Sequence, residues 1–402
     1  MNTKSNTDFD AIIIGAGAAG LFCAMTAGAR GLRVLVLDHA DTPGKKILIS
    51  GGGRCNFTNL ESTPDRFLSK NPHFCKSALA QYTQYDFIDL VQKHKIAYHE
   101  KTLGQLFCDG SAKLILQMLL GECKAASVDL RLNHVITDIT KSDRFQITTN
   151  YGTFSARSCV LATGGLSIPK MGATGFTHKI AKQFKLSQTQ TYPGLVPLTF
   201  SDQDLQLMTP LSGIALNVIA RVGETAFQEN MLFTHRGLSG PAILQASNYW
   251  RIGDPLHIDL LPGIDASTFL LAQKKSNPKS EPKTVLTAHL PTRLAHAISM
   301  AHLPEYETPR MIGEIADRDL NHLGLTINQW LLEPSGSEGY AKAEVTVGGI
   351  DTAALSSKTM EANAVPGLYI IGEAVDVTGW LGGYNFQWAW SSGWVAGQAL
   401  AN

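Results

Sequence analysis

The sequence predicts an α/β fold in which a Rossmann-like dinucleotide-binding domain is interrupted by an inserted β domain and a small inserted helical domain. Three observations predict it: a strand, glycine-rich turn, helix and strand in series over residues 9–38; short alternating strands after residue 190; and a late return to a strand and an apolar helix from residue 367. At 402 residues the chain is too long for one ordinary core. We place a discontinuous dinucleotide-binding domain at 1–189 and 348–402, a β domain at 190–262 and 323–347, and a helical domain at 263–322.

The first unit reads as strand "FDAIIIG", turn "GAGAAG", helix "LFCAMTAGARG" and strand "LRVLVLD". Gly15 permits the sharp turn, Gly17 lets backbone N–H groups approach a pyrophosphate, and Gly20 lets the helix lie close to the strand. The helix start, at Ala18 and Ala19, then faces phosphate charge. Asp38 closes the second strand, 23 residues after Gly15, where a carboxylate accepts from ribose hydroxyls and repels a 2′-phosphate. This fits FAD or NAD and excludes NADP at that position. The turn alone does not separate the first two.

The segment "GLYIIGEAVDVTGWLGGYNFQWAWSSGWVAGQALA" separates them. An NAD-only domain has no need of a returning strand that ends at Gly372 and Glu373, a glycine-rich turn and then a helix from about Asn385. An extended FAD does: the acid meets the ribityl chain, and the helix start stabilises negative charge at the flavin's N1/C2 edge. Phe386, Trp388, Trp390 and Trp394 require that helix to be buried on most faces, and Gly393 and Gly397 let it approach the sheet. "VLATGG" adds a third approach to the dinucleotide at Ala162, Thr163 and Gly164.

Together, "GKKILISGGGRCNFTN", "ATGGLSIPKMGATG", "YPGLVPL", "LFTHRGLSGPAILQAS", "AEVTVGGI" and "GEAVDVTGWLGGYNFQWAWSSG" resemble the BaiN-like flavoproteins, an aminoacetone-oxidase-like group of NAD(P)/FAD-dependent oxidoreductases. The likeness covers nearly the whole chain. After "GATG" the sequence departs from the pattern, with "FTHKIA" where a glycine and an aromatic are expected. The resemblance puts "SGGGRCN" beside the cofactor: Gly51, Gly52 and Gly53 offer N–H groups, and Arg54 neutralises phosphate or steadies reduced flavin. It further implies Lys45 or Lys46 at the adenosine end beside His39, and Asn56 near the isoalloxazine. Cys55 reads as a packing residue of that loop, since no second cysteine is adjacent in sequence. Asp376, Gly383, Tyr384 and Phe386 extend the candidate flavin end, and Val135, in "NHVITDI", is the candidate adenine contact.

Between these pieces, 76–96 has a helical pattern and 129–161 a β pattern; "ALNVIARV" and "PLHIDL" are strands of the β domain. The helical domain carries "DASTFLLAQKK", "RLAHAISMAHL" and "TPRMIGEIADRDL", with the basic "KKSNPKSEPK" read as a solvated linker. In "LFTHRGLSGP", His235 and Arg236 either face substrate or belong to a self-bonded loop.

Lysine plus arginine and aspartate plus glutamate each total 34, so no overall charge attracts nucleic acid or an anionic membrane, and a small-molecule partner is expected. The six cysteines and twelve histidines show no metal-ligand spacing, which predicts no metal and fits reduced thiols in a cytoplasm. The uncharged run 11–29 is glycine-punctuated and reads as turn and helix rather than as a signal or membrane segment. The sequence carries no signal for an oligomeric state. It reads as a soluble FAD oxidoreductase, with NAD(P)H, if used, docking transiently at the flavin because no second nucleotide fingerprint is present. The alternatives are a flavin-binding scaffold without turnover and a flavin-dependent RNA-modifying enzyme, the latter disfavoured by the neutral charge.

Overall fold

The computed structural model describes residues 7–304 and 310–401. They form two compact units, one over Met1–Tyr192 and Val345–Asn402, the other over Pro193–Glu344.

The first unit is built on a seven-stranded sheet. Strand β1 (Asp8–Ile14) is buried on both faces from Phe9 onward and pairs in parallel with β2 (Val34–Leu37) on one side and with Gly152–Leu161 on the other. Such strands read as continuous Val/Ile/Leu runs because helices cover both sheet faces. The Gly152–Leu161 strand is shared: its first half pairs antiparallel with Phe145–Thr149, and its last three residues pair in parallel with Leu368–Ile370. The late segment thus joins the sheet beside the strand that ends at Leu161.

Helix α1 (Ala18–Ala29) links β1 to β2, and its backbone nearly touches the preceding turn. A Cβ on Gly20 would lie 1.9 Å from the Gly15 carbonyl oxygen, so only glycine is accommodated there. The long apolar helix is Tyr384–Ala399. Its close approach is to α1 rather than to the sheet: Cβ atoms on Gly393 and Gly397 would fall 2.7 Å from the Ala19 oxygen and from Thr26 Cβ, respectively. The other face is aromatic, with Trp390 stacked on Phe87 at 4.4 Å and 10°. The predicted helical stretch 76–96 is two helices, Cys75–Gln81 and Gln84–Lys93. Thr83 breaks it by forming a reciprocal capping box with Asp86, which satisfies two free N–H groups at the second helix's start.

The second unit carries a seven-stranded antiparallel sheet that includes Ala215–Val222, Thr225–Thr234 and Leu256–Asp259, where alternating strands are predicted. Helices Ala266–Ser276, Thr292–His302 and Asp317–Asn328 belong to the same unit. The predicted helix 308–320 is a 3-10 turn at Ile312–Glu314 followed by the Asp317 helix; its residues 308 and 309 lie outside the described residues. A Cβ on Gly324 would meet the Ser267 nitrogen at 2.4 Å, so two of these helices cross in close contact. Among the described residues no helix is long and apolar enough to cross a membrane, and no group of three His, Cys, Asp or Glu side chains gathers as metal ligands.

Candidate cofactor site

The glycine-rich turn delivers α1 with its N-terminus uncovered. Gly17 caps the helix in extended conformation without a side-chain cap, and the first turn carries no acid. A Cβ on Gly17 would meet no atom within 4 Å, so the space before the Ala18, Ala19 and Gly20 N–H groups is open. Free N–H groups there favour an anion. Asp38 is fixed against the same turn: one carboxylate oxygen accepts from the Ala16 N–H (2.6 Å) and the other from the Ala40 N–H (2.8 Å). His39 lies 3.5 Å from Asp38, and a Cβ on Gly172 would come within 2.9 Å of its ring. The Val135 N–H is committed to the Asn150 side chain, but the preceding His134 N–H donates to the Asp38 carbonyl, so this segment lies beside the acid.

At the end of the Gly152–Leu161 strand, Ala162 donates to the Ile14 carbonyl, and Thr163 shares a 2.8 Å hydrogen bond with Thr177. A Cβ on Gly15 would strike Ala162 and Thr163. The two predicted approaches of the chain, at the first turn and at "ATGG", are therefore in contact.

"SGGGRCN" is a compact left-handed turn after α2 (Lys45–Ile49): Gly51, Gly52 and Gly53 have φ of 56°, 67° and 85°, and Cys55 has φ of 52°. The first three positions favour glycine because a side chain in that region is strained. Arg54 is exposed, and its side chain has no ion pair or hydrogen bond among the described residues. Cys55 is buried, and burial pushes its thiol up to about 12, with a Ser50 hydrogen bond opposing and Cys108 adding to the rise. In its best-bonded orientation the Asn56 amide accepts from the Gly383 N–H (3.3 Å) and donates to the Leu106 carbonyl.

Asn385 is spent on the turn before its helix, accepting from the Gly379 N–H and donating to the Gly379 and Trp380 carbonyls. Tyr384 is buried against Phe67, and Phe386 stacks on Trp390. Asp376 accepts from the Lys70 N–H, and burial raises its carboxyl. Gly372 is held from both sides, its N–H by Ser392 and its carbonyl by the Trp388 indole.

The two predicted lysines part company. Lys45 pairs with the exposed Asp41, whereas Lys46 reaches Glu373 at 2.7 Å. Ser167 and Thr346, which sequence reasoning did not select, complete the Glu373 environment: Ser167 donates to the carboxylate at 2.8 Å and the Thr346 N–H at 3.0 Å. Burial pushes Glu373 toward its neutral form, but the Lys46 charge and these hydrogen bonds outweigh it, and its carboxyl lies below the usual range. Ser167, two residues past the "ATGG" glycines, was the available signal.

An open helix N-terminus, a carboxylate pinned beside it and an exposed glycine turn with a free arginine form a donor set suited to a dinucleotide. A family model for the HI0933-like protein Rossmann domain matches residues 9–399. The chain belongs to the HI0933-like Rossmann family. The fold is a Rossmann-like, FAD-binding α/β fold. The HI0933-like chain is 53% identical over 395 residues to a ribosomal RNA dihydrouridine synthase of Escherichia coli, covering 98% of each. It is 46% identical to a ribosomal RNA dihydrouridine synthase of Haemophilus influenzae, covering 97% of this chain and 98% of the other. It is 27% identical to a 3-dehydro-bile acid delta(4,6)-reductase of Clostridium scindens, covering 97% and 98%. Among solved structures, a 3-ketosteroid-delta4-(5alpha)-dehydrogenase of Rhodococcus jostii shares the fold, with a TM-score of 0.51 at 15% identity over 100% of this chain and 98% of that one.

Proposed function

We propose that this HI0933-like flavoprotein reduces the C5=C6 bond of a uridine in ribosomal RNA. The observation that carries the reading is 53% identity, across 98% of both chains, to a ribosomal RNA dihydrouridine synthase. The bile acid reductase extends the chemistry rather than opposing it: a Δ4,6 diene beside a 3-oxo group and the C5=C6 bond of uracil are both conjugated with a carbonyl. Bound FAD, once reduced, would supply this chain with the hydride equivalent for the electron-poor carbon, the neighbouring carbon taking a proton.

In this reading the chain's own residues hold and bias the cofactor. The N–H groups of Ala18, Ala19 and Gly20 bind the pyrophosphate, and the open space at Gly17 admits it. Asp38, with both oxygens already oriented by backbone N–H groups, takes the ribose hydroxyls, and the Val135 segment borders the adenine. Gly51–Gly53 and Arg54 add donors and a positive charge. Thr163 and Gly164 flank the dinucleotide, and Gly383, at the start of the Tyr384 helix, turns that helix's positive end toward the flavin. NAD(P)H is the expected reductant.

The zero net charge does not oppose an RNA substrate, because the charge is uneven. Between Asp143 and Asp202 there are six basic residues and no acid. Four of them, Lys170, Lys179, Lys182 and Lys185, are exposed and make no ion pair among the described residues. Lysines so placed suit phosphate contacts.

The test is conversion by purified, FAD-loaded protein with NADPH of unmodified ribosomal RNA, read as dihydrouridine by nucleoside mass spectrometry. Dihydrouridine at one site is expected. Reduction of a 3-oxo-4,6-diene steroid with ribosomal RNA untouched would replace this reading with the small-molecule one.

A further inference from the structure

We propose that Lys46 and Glu373 form a charge-compensated pair whose ammonium presents its remaining N–H to the cofactor, so that the pair, by its two opposite charges, sets the flavin's reduction potential. The inference rests on the reading that FAD lies along the first glycine turn and "ATGG".

The Lys46 ammonium has three N–H donors. Two are used, on Glu373 and on the Ser167 hydroxyl, each at 2.7 Å. Ser167 also donates to the other Glu373 oxygen, which receives the Thr346 N–H as well. The Thr346 hydroxyl in turn accepts from the Leu166 N–H at 2.7 Å. The ring is closed around Gly165, where a Cβ would lie 2.5 Å from Thr346 Oγ1 and 2.7 Å from Glu373 Oε1. Among the described residues the ammonium keeps one N–H without a partner, and the Lys46 side chain stays 33% exposed while Glu373 is 19% exposed.

A pair this well held is poorly explained by stability. Desolvating two charges offsets most of their attraction, and apolar replacements of such pairs are often no less stable. Two neighbouring lysines in one short helix also meet different fates, and only Lys46 is drawn to an acid 327 residues away. That acid ends the strand Leu368–Ile370 region next to "ATGG", where the first unit's chain segments converge. A cation fixed there favours added negative charge on a bound flavin, and the carboxylate opposes it. Removing either partner unmasks the other, with opposite sign.

The measurement is the flavin midpoint potential by anaerobic redox titration, together with FAD affinity by fluorescence quenching of apoprotein. The proteins are wild type, Lys46→Met, Lys46→Arg, Glu373→Gln and the double variant Lys46→Met/Glu373→Gln. Lys46→Met is expected to lower the potential and Glu373→Gln to raise it, the double variant to return toward wild type, and Lys46→Arg to stay near it. A tenfold change in the relative binding of reduced and oxidised flavin corresponds to about 30 mV for this two-electron couple. A shift in the same direction for both single variants, or none in variants that melt like wild type and bind FAD, overturns the inference and leaves the cofactor reading standing. Wild-type apoprotein that takes up no FAD overturns both.

Discussion

Replacing Gly17 by alanine separates the needs of the fold from those of the cofactor. The backbone at Gly17 (φ −84°, ψ −169°) is one that alanine adopts freely, and the new Cβ meets no protein atom within 4 Å. Alanine is a slightly poorer helix cap than glycine but also restricts the unfolded chain, two opposing effects of at most about 1 kcal/mol each. Apoprotein stability should therefore hardly change. On the proposed placement the methyl group stands where the pyrophosphate approaches the Ala18 and Ala19 N–H groups, and losing one charge-assisted hydrogen bond costs about 1.5–3 kcal/mol. That is roughly a ten- to hundredfold loss of FAD affinity, and Gly17→Val should lose more. Gly20→Ala is the contrasting control, because its Cβ would sit 1.9 Å from a backbone oxygen and must disturb the turn itself. The assay pairs thermal melting of apoprotein with FAD titration followed by flavin fluorescence. Wild-type FAD affinity in a Gly17→Val protein that melts normally would refute the placement of the pyrophosphate.

Three further outcomes are expected. Arg54→Ala should weaken FAD binding or lower the flavin potential with the melt unchanged, the affinity loss reaching about ten- to hundredfold; Lys at 54 should restore only part, because it lacks the planar fork. Asp376→Asn should raise the melting temperature at pH 7, since burial raises the Asp376 carboxyl and the folded state holds its charge at a cost. Its folded value lies above the unfolded one, so that cost fades as pH falls and the gap to wild type should close toward pH 4; a gap that widens contradicts the assignment. His178 has both ring nitrogens buried and unpartnered among the described residues, and burial depresses its imidazole, with Glu373 opposing. A depressed histidine loses stability as pH drops below its unfolded value near 6.5. His178→Phe should accordingly stabilise the protein by about 1–3 kcal/mol, the cost of buried unsatisfied polar groups, and more so at pH 5.5; a fall in melting temperature would show that the ring is needed where it is.

The parts of the fold written in local pattern were legible. Residues 9–38 announce strand, turn, helix and strand through period and glycine placement, and the flavin-type sheet closes with the strand at Leu368–Ile370. What stayed hidden depends on who meets whom. No spacing rule links Lys46 to Glu373 or brings Ser167 and Thr346 to the same carboxylate, because those partners are joined only once the sheet is assembled. Gly393 and Gly397 announce a close approach, but not that α1 is the surface approached. Cys55 has no cysteine near it in sequence, yet Asn56 pairs with Phe107 across the Asn56–Asn59 and Gln105–Cys108 strands, and the Cys108 N–H reaches the Cys55 carbonyl. Composition gave the sum of charges and concealed their uneven distribution over residues 144–201.

The contact between α1 and the Tyr384–Ala399 helix has a consequence for how the protein is made. A ribosome synthesises Ala18–Ala29 early and the helix that must cover it more than three hundred residues later. In the interval Pro193–Glu344 is made in full and, as a compact unit of its own, can fold while the first unit is still open. The nascent chain thus waits with the apolar face of α1 uncovered and with Glu373 still unmade. Translation must pass Glu373 before that carboxylate can meet Lys46, so the pair forms only after the whole second unit has been made.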